Sequence, residues 1–128
     1  MIEYSEAPDV RQTALDIIKT LDLGHIDKSR VHFLRSRGSE SRGVVARVHS
    51  LGRIWECSIG VRPSYTIEVI SEKFDRMSSE AQVETIIHEL LHIPHSFGGG
   101  FRHHRGYVTP RHVRQLSIQY QKNRMISR

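Results

Sequence analysis

Between residues 9 and 21 apolar side chains recur at helical spacing: Val10, Ala14, Ile17, Ile18 and Leu21 share one face, which predicts an amphipathic helix packed on a sheet. Asp9 stands where a cap would start it, and Gly24 lies just past its end. Over residues 30–35 the period falls to two, with Val31 and Phe33 alternating with His32 and Leu34, as in a strand. The Gly/Ser/Arg stretch at 38–43 reads as a turn, and residues 44–49 form a second strand candidate at hairpin distance. Residues 51–60, which include Trp55, fit a short helix or a strand equally well. Tyr65, Ile67 and Val69 alternate with Thr66 and Glu68, which predicts a strand over 65–70.

The strongest periodicity starts at Ser78 and Ser79. Ser79 with Gln82 three residues on matches a capping box, and Val83, Ile86, Ile87, Leu90 and Leu91 make one apolar stripe. Pro94 lacks the N–H that would bond to the carbonyl of Leu90, so the helix should stop near His92 and Ile93. A loop containing Gly98, Gly99 and Gly100 follows. The last helix opens with Thr109 as cap and Pro110 in its first turn, burying Val113, Leu116 and Tyr120. Only the final few residues are expected to fray, and no internal repeat or linker is visible.

Composition changes this picture in three ways. A chain of 128 residues has room for one core, so its function has to fit one compact unit. No run of about 20 apolar residues exists to span a membrane, the first twenty residues include Glu3, Glu6, Asp9 and Asp16, unlike a secretory signal, and Cys57 is the only cysteine. Disulfides and cysteine-based zinc clusters are thereby excluded within the chain, and a cytoplasmic location is expected. The charge is uneven. Of 19 Lys and Arg and 14 Asp and Glu, the first 89 residues hold 12 bases and all 14 acids, whereas the remainder holds 7 bases and no acid.

Five of the nine histidines, His88, His92, His95, His103 and His104, fall within 17 residues, and the first two belong to the string HELLH at 88–92. At roughly 100° per residue His88 and His92 lie about 40° apart on the helix surface, one turn apart along its axis, so both imidazoles can reach one metal ion. The apolar stripe centres roughly 150° away, so burying it turns both histidines into a cleft. Glu89 sits to one side, close enough to take a proton from a water without itself ligating. With nine His and nine Glu in 128 residues, chance alone yields HExxH in about one such chain in twenty, so its position on the best-formed helix adds most of the specificity.

A catalytic zinc needs a third protein ligand. After Glu89 no carboxylate remains to supply it. His95 would lie about 10 Å along the axis from His88, beyond the break at Pro94. An extended motif with a third His six residues after His92 would need Gly at His95 and His at Gly98, and fails at both. His103, His104 and His112 remain open, with His112 the weaker because it falls inside the last helix.

The string IIHELLHIP at 86–94, followed by Phe97, Gly99, Gly100, Phe101, Arg102 and His104, resembles the small metallopeptidase-like proteins of archaea and phages, single-domain relatives of the SprT-like zincins. The close match covers about 20 residues, with weaker similarity, including the Trp55 region, from residue 30 onward. In that family the ligand histidine follows the Gly-Gly-aliphatic-Arg stretch after one residue, which carries over to His104; the glycine often found straight after it is here Arg105, with Gly106 one later. The resemblance implies an α+β, zincin-like single domain over residues 1–128: a small mixed sheet packed on the N-terminal helix and the HExxH helix, closed by the C-terminal helix. It also implies a zinc-dependent peptidase acting on peptides or proteins.

On this basis zinc is expected on His88, His92 and His104, with Glu89 as general base. Tyr107, Arg102 or the spare histidine is expected to stabilise the oxyanion, Tyr107 as the catalytic donor. The strand at 65–70 is expected to form the edge of the cleft to which an extended peptide adds. The competing expectation is a nucleic-acid-associated module with a structural zinc, its phosphate contacts supplied by Arg102, Arg105, Arg111, Arg114, Lys122, Arg124 and Arg128.

Overall fold

The computed structural model describes residues 1–126; Arg128 and the end expected to fray lie outside the described residues. Four strands, β1 (Glu3–Glu6), β2 (Val31–Arg37), β3 (Ala46–Leu51) and β4 (Ser64–Ile70), form one mixed sheet in the order β1-β2-β4-β3. Five α-helices accompany it: α1 (Pro8–Thr20), α2 (Arg53–Ile59), α3 (Ser71–Phe74), α4 (Ser79–Leu91) and α5 (Pro110–Ile126). The architecture is the α+β mixed sheet that the motif implied.

The order of strands departs from the sequence pattern. β2 and β3 do not form a hairpin, because β4 lies between them, parallel to β2 (Phe33 opposite Ile67) and antiparallel to β3 (Val48 opposite Ile67). The strand expected at the cleft edge is therefore central, both of its edges taken by ladder bonds. Alternation assigns faces to residues but does not name a strand's neighbours. One face of β4, Tyr65, Ile67 and Val69, is buried with Val31 and Phe33 against the helices. On the other, Glu68 is buried too. It accepts hydrogen bonds from Ser36 Oγ at 2.5 Å and from His49 Nε2 at 2.8 Å, with Arg47 Nε 3.4 Å away. Burial alone would raise its pKa, but the Ser36 and His49 hydrogen bonds and the Arg47 charge outweigh it and hold the carboxyl below its ordinary value.

Helix α1 starts one residue before Asp9, with Pro8 in its first turn and Ala7 as a cap without a side-chain bond. Asp9 instead accepts from Arg35 at 2.5 Å, which also reaches Asp75 at 2.5 Å, tying α1 and the end of α3 to β2. The helix turns off through Asp22, at φ 53°, two residues ahead of Gly24. Residues 53–59 resolve to helix α2, with Trp55, Ile54 and Ile59 exposed.

Helix α4 carries the predicted stripe into the core: Val83, Ile86, Ile87, Leu90 and Leu91 are all buried. Each contributes roughly 1.5–3 kcal/mol by leaving water, which fixes the helix's rotation and with it the opposite face. Its cap is Ser78, not Ser79: Ser78 Oγ accepts from Ala81 N–H at 3.1 Å, and the Gln82 amide donates to the Phe74 carbonyl. The helix ends at Leu91 with His92 as C-cap, where Pro94 required. Thr109 caps α5 as expected, accepting from the His112 N–H at 3.1 Å. Val113 and Tyr120 are buried on α5, Leu116 partly so, and Tyr120 donates to Asp16 of α1 at 2.5 Å. Among the described residues no helix is long and apolar enough to cross a membrane.

Candidate metal centre

With the stripe of α4 in the core, His88, Glu89 and His92 face a cavity of about 890 Å³. Its floor is α4, one wall is the segment from Gly43 to Val48, and the other is formed by Phe101, Arg102, His103 and His104 together with Pro110, Val113 and Arg114 of α5. Because β3 is the last strand in the sheet order, its outer edge carries no strand partner among the described residues, and Ala46, Arg47 and Val48 of this strand line the cavity. The cleft-edge position expected of residues 65–70 thus falls to β3.

His88 and His92 are one turn apart on α4, as their spacing dictates, and the chain after Pro94 returns to meet them. Arg102 N–H donates to the His92 carbonyl at 2.8 Å, and His92 Nδ1 lies 2.6 Å from the Arg102 carbonyl oxygen. A carbonyl can only accept, so Nδ1 carries the proton and Nε2 is left with its lone pair pointing into the cleft. Two residues on, His104 Nε2 comes within 3.1 Å of His88 Nε2, which is itself 3.3 Å from His92 Nε2. The three ring nitrogens all lie within 4.8 Å of one another.

That clustering is informative about what fits there. His88 Nε2 has one site, proton or lone pair, facing two imidazole nitrogens, so hydrogen bonding leaves lone pairs facing each other at this separation. A cation accepting all three removes the conflict. Tetrahedral zinc with bonds of about 2.0–2.1 Å to nitrogen spaces its ligands by about 3.3–3.4 Å, close to the observed 3.1 and 3.3 Å. Protonation is disfavoured as well: burial, then the neighbouring His92 and His104, pushes His88 down to about 4. Burial likewise lowers His92, partly offset by its bond to the Arg102 carbonyl and reinforced by His104 and His103. Glu89 is only 7% exposed, and burial pushes its carboxyl up to about 7.

The other sequence candidates are placed apart from this cluster. His103 lines the cavity but is not one of the three; His95 stacks on His25 with ring centroids 4.1 Å apart; His112 directs Nδ1 to the Tyr107 carbonyl at 2.8 Å. The Tyr107 ring packs against His112 and lies 3.5 Å beneath the Arg102 guanidinium. Arg102 is among the residues lining the cavity and Tyr107 is not. Of the cationic stretch, Arg124 lies 3.6 Å from Asp16, while Arg111, Arg114 and Lys122 are exposed.

Two contributors escaped sequence reasoning: the β3 edge, and the buried Tyr65, which holds the loop leading to His104. The signal for the first was available, since consecutive apolar Val69 and Ile70 mark β4 as covered on both faces and hence internal.

No curated protein and no solved structure matches the chain. A family model described as "Putative phage metallopeptidase" matches residues 2–114, from β1 through the first turn of α5, and so takes in the whole sheet, α4 and all three clustered histidines. Such a family implies a metal ion and a peptide or protein substrate. On a match of that extent, the chain belongs to the phage metallopeptidase family.

Proposed function

We propose that the chain is a single-domain zinc peptidase, kin to the SprT-like zincins, in which His88, His92 and His104 hold the ion and Glu89 is the general base. The observation that carries this reading is the convergence of three imidazole nitrogens beside a buried carboxylate in one cavity. Bound there, zinc would polarise a scissile carbonyl and acidify a water. Its burial keeps Glu89 basic enough to accept that water's proton and return it to the departing amine. The free edge of β3 along the cavity offers N–H and C=O groups to an extended peptide, which would add as a further strand and lie across α4. To Arg102, a residue of the cavity lining, we assign the sharing of charge on the tetrahedral intermediate. Tyr107 then contributes by supporting the guanidinium from below through a cation–π contact. A lone exposed Cys57 suits a reducing compartment such as the cytoplasm.

Glu89→Gln tests the assignment, with zinc content and peptide cleavage measured on the same sample. Retained zinc with cleavage reduced at least a hundredfold is expected. Unchanged cleavage overturns the role given to Glu89.

A further inference from the structure

His88 and His92 are positioned by a helix whose opposite face is in the core. His104 has no such support. It is exposed, lies in a turn, and the side chains it meets are the two other clustered histidines, His88 with Nε2 atoms 3.1 Å apart and His92 with ring centroids 4.6 Å apart. Its place is therefore set by the backbone leading to it, which side chains hold at two points: His92 at Arg102 and, further upstream, Tyr65. Tyr65, at the start of β4 and 1% exposed, accepts a hydrogen bond from the Gly99 N–H at 2.8 Å and donates one to the Gly100 carbonyl at 2.8 Å.

Neither bond is needed by the core. The Tyr65 ring packs edge-on against Phe97, centroids 4.9 Å apart, and phenylalanine would fill the same space. The hydroxyl instead grips two successive peptide groups of the loop as donor and acceptor at once. Two residues beyond Gly100 comes the reciprocal pairing of Arg102 with His92, and two beyond that stands His104. Fixing residues 99 and 100 limits the directions from which 102 can approach His92, and so where the 104 imidazole points.

Resting on the assignment of His104 as third ligand, we propose that the Tyr65 hydroxyl is a positioning group for the metal centre, acting through the backbone of residues 99–102 on His104. It touches neither metal nor substrate. Outer-shell groups of this kind commonly change metal affinity about 10- to 100-fold.

The experiment is a double-mutant cycle in zinc affinity, by competition with a chromophoric chelator, on the full chain and its Tyr65→Phe, His104→Ala and doubly substituted forms. Tyr65→Phe is expected to weaken zinc about tenfold or more in the His104 background and by less than twofold in the His104→Ala background. Hydrogen exchange of the metal-free protein provides a second readout, with faster exchange expected at amides 99–102 and unchanged rates in α4. Equal losses in both backgrounds would mean that Tyr65 acts on the site generally, and would overturn the inference. So would a loss in His104→Ala with none in Tyr65→Phe, leaving the ligand assignment intact. Undiminished affinity in His104→Ala overturns that assignment itself and this inference with it.

Discussion

Replacing Gly99 by alanine should cost far more than replacing Gly100, although the two are neighbours in one loop. Gly99 has φ +94°, outside the range that side-chain-bearing residues ordinarily occupy, and its added Cβ would stand 2.3 Å from the Cα of Gly52. The backbone conformation alone costs roughly 1–3 kcal/mol. The contact is backbone against backbone, so no rotamer change relieves it, and moving one segment costs roughly a further 1–3 kcal/mol. Together these give about 2–6 kcal/mol, which for a small protein lowers the urea midpoint by about 1–3 M. At Gly100 no atom lies within 4 Å of the new Cβ, and φ is not positive. Alanine there should fall within about 0.5 kcal/mol of the parent, or stabilise slightly by restricting the unfolded chain. Urea denaturation of metal-free protein, followed by far-UV circular dichroism, measures both. Unfolding free energies of the two variants agreeing to within about 0.5 kcal/mol would refute the reasoning, since the loop would then accommodate both positions alike.

The helix cap gives a second comparison. Ser78→Ala should destabilise by about 1 kcal/mol and Ser79→Ala by a few tenths, and thermal melts giving the reverse order would return the cap to Ser79. The buried Glu68 predicts an acid limb. Its folded pKa lies below the unfolded value near 4.5, so its ionised form stabilises the fold at neutral pH, and that contribution is lost as pH falls through and below 4.5. Glu68→Gln should flatten stability against pH over that window, and an unchanged acid limb in urea titrations would count against the Ser36–Glu68–His49 network.

Much of this architecture is legible in the residues themselves, and the exceptions have physical causes. Helices α4 and α5 show plainly because apolar spacing and a proline agree at each, with the cap of α4 displaced by one residue to Ser78. β1 does not show: Glu3, Tyr4, Ser5 and Glu6 are all exposed, so an edge strand with no buried face leaves no alternation to read. The start of α1 is displaced because Asp9 is engaged by Arg35 and Pro8 supplies the opening turn. HExxH, lying on one helix, gives the arrangement of His88, Glu89 and His92 from periodicity alone. His104 is different. Adjacent histidines in an irregular loop carry no period, and which one turns inward depends on backbone angles such as those at Phe97 and Gly99, set by contacts with β4 and Gly52.

The two edges of the sheet face different fates in a crowded solution. A bare strand edge invites another chain, and long flat apolar edges are where ordered aggregates begin. β1 is short and carries Glu3 and Glu6, which repel a second copy of the same acidic edge. β3 is longer and has Val48 in its middle, but its open side is recessed along a cavity bounded by α4 and α5. Pairing with β3 thus requires entry into that recess, so shape limits access to this edge, where charge does so at β1.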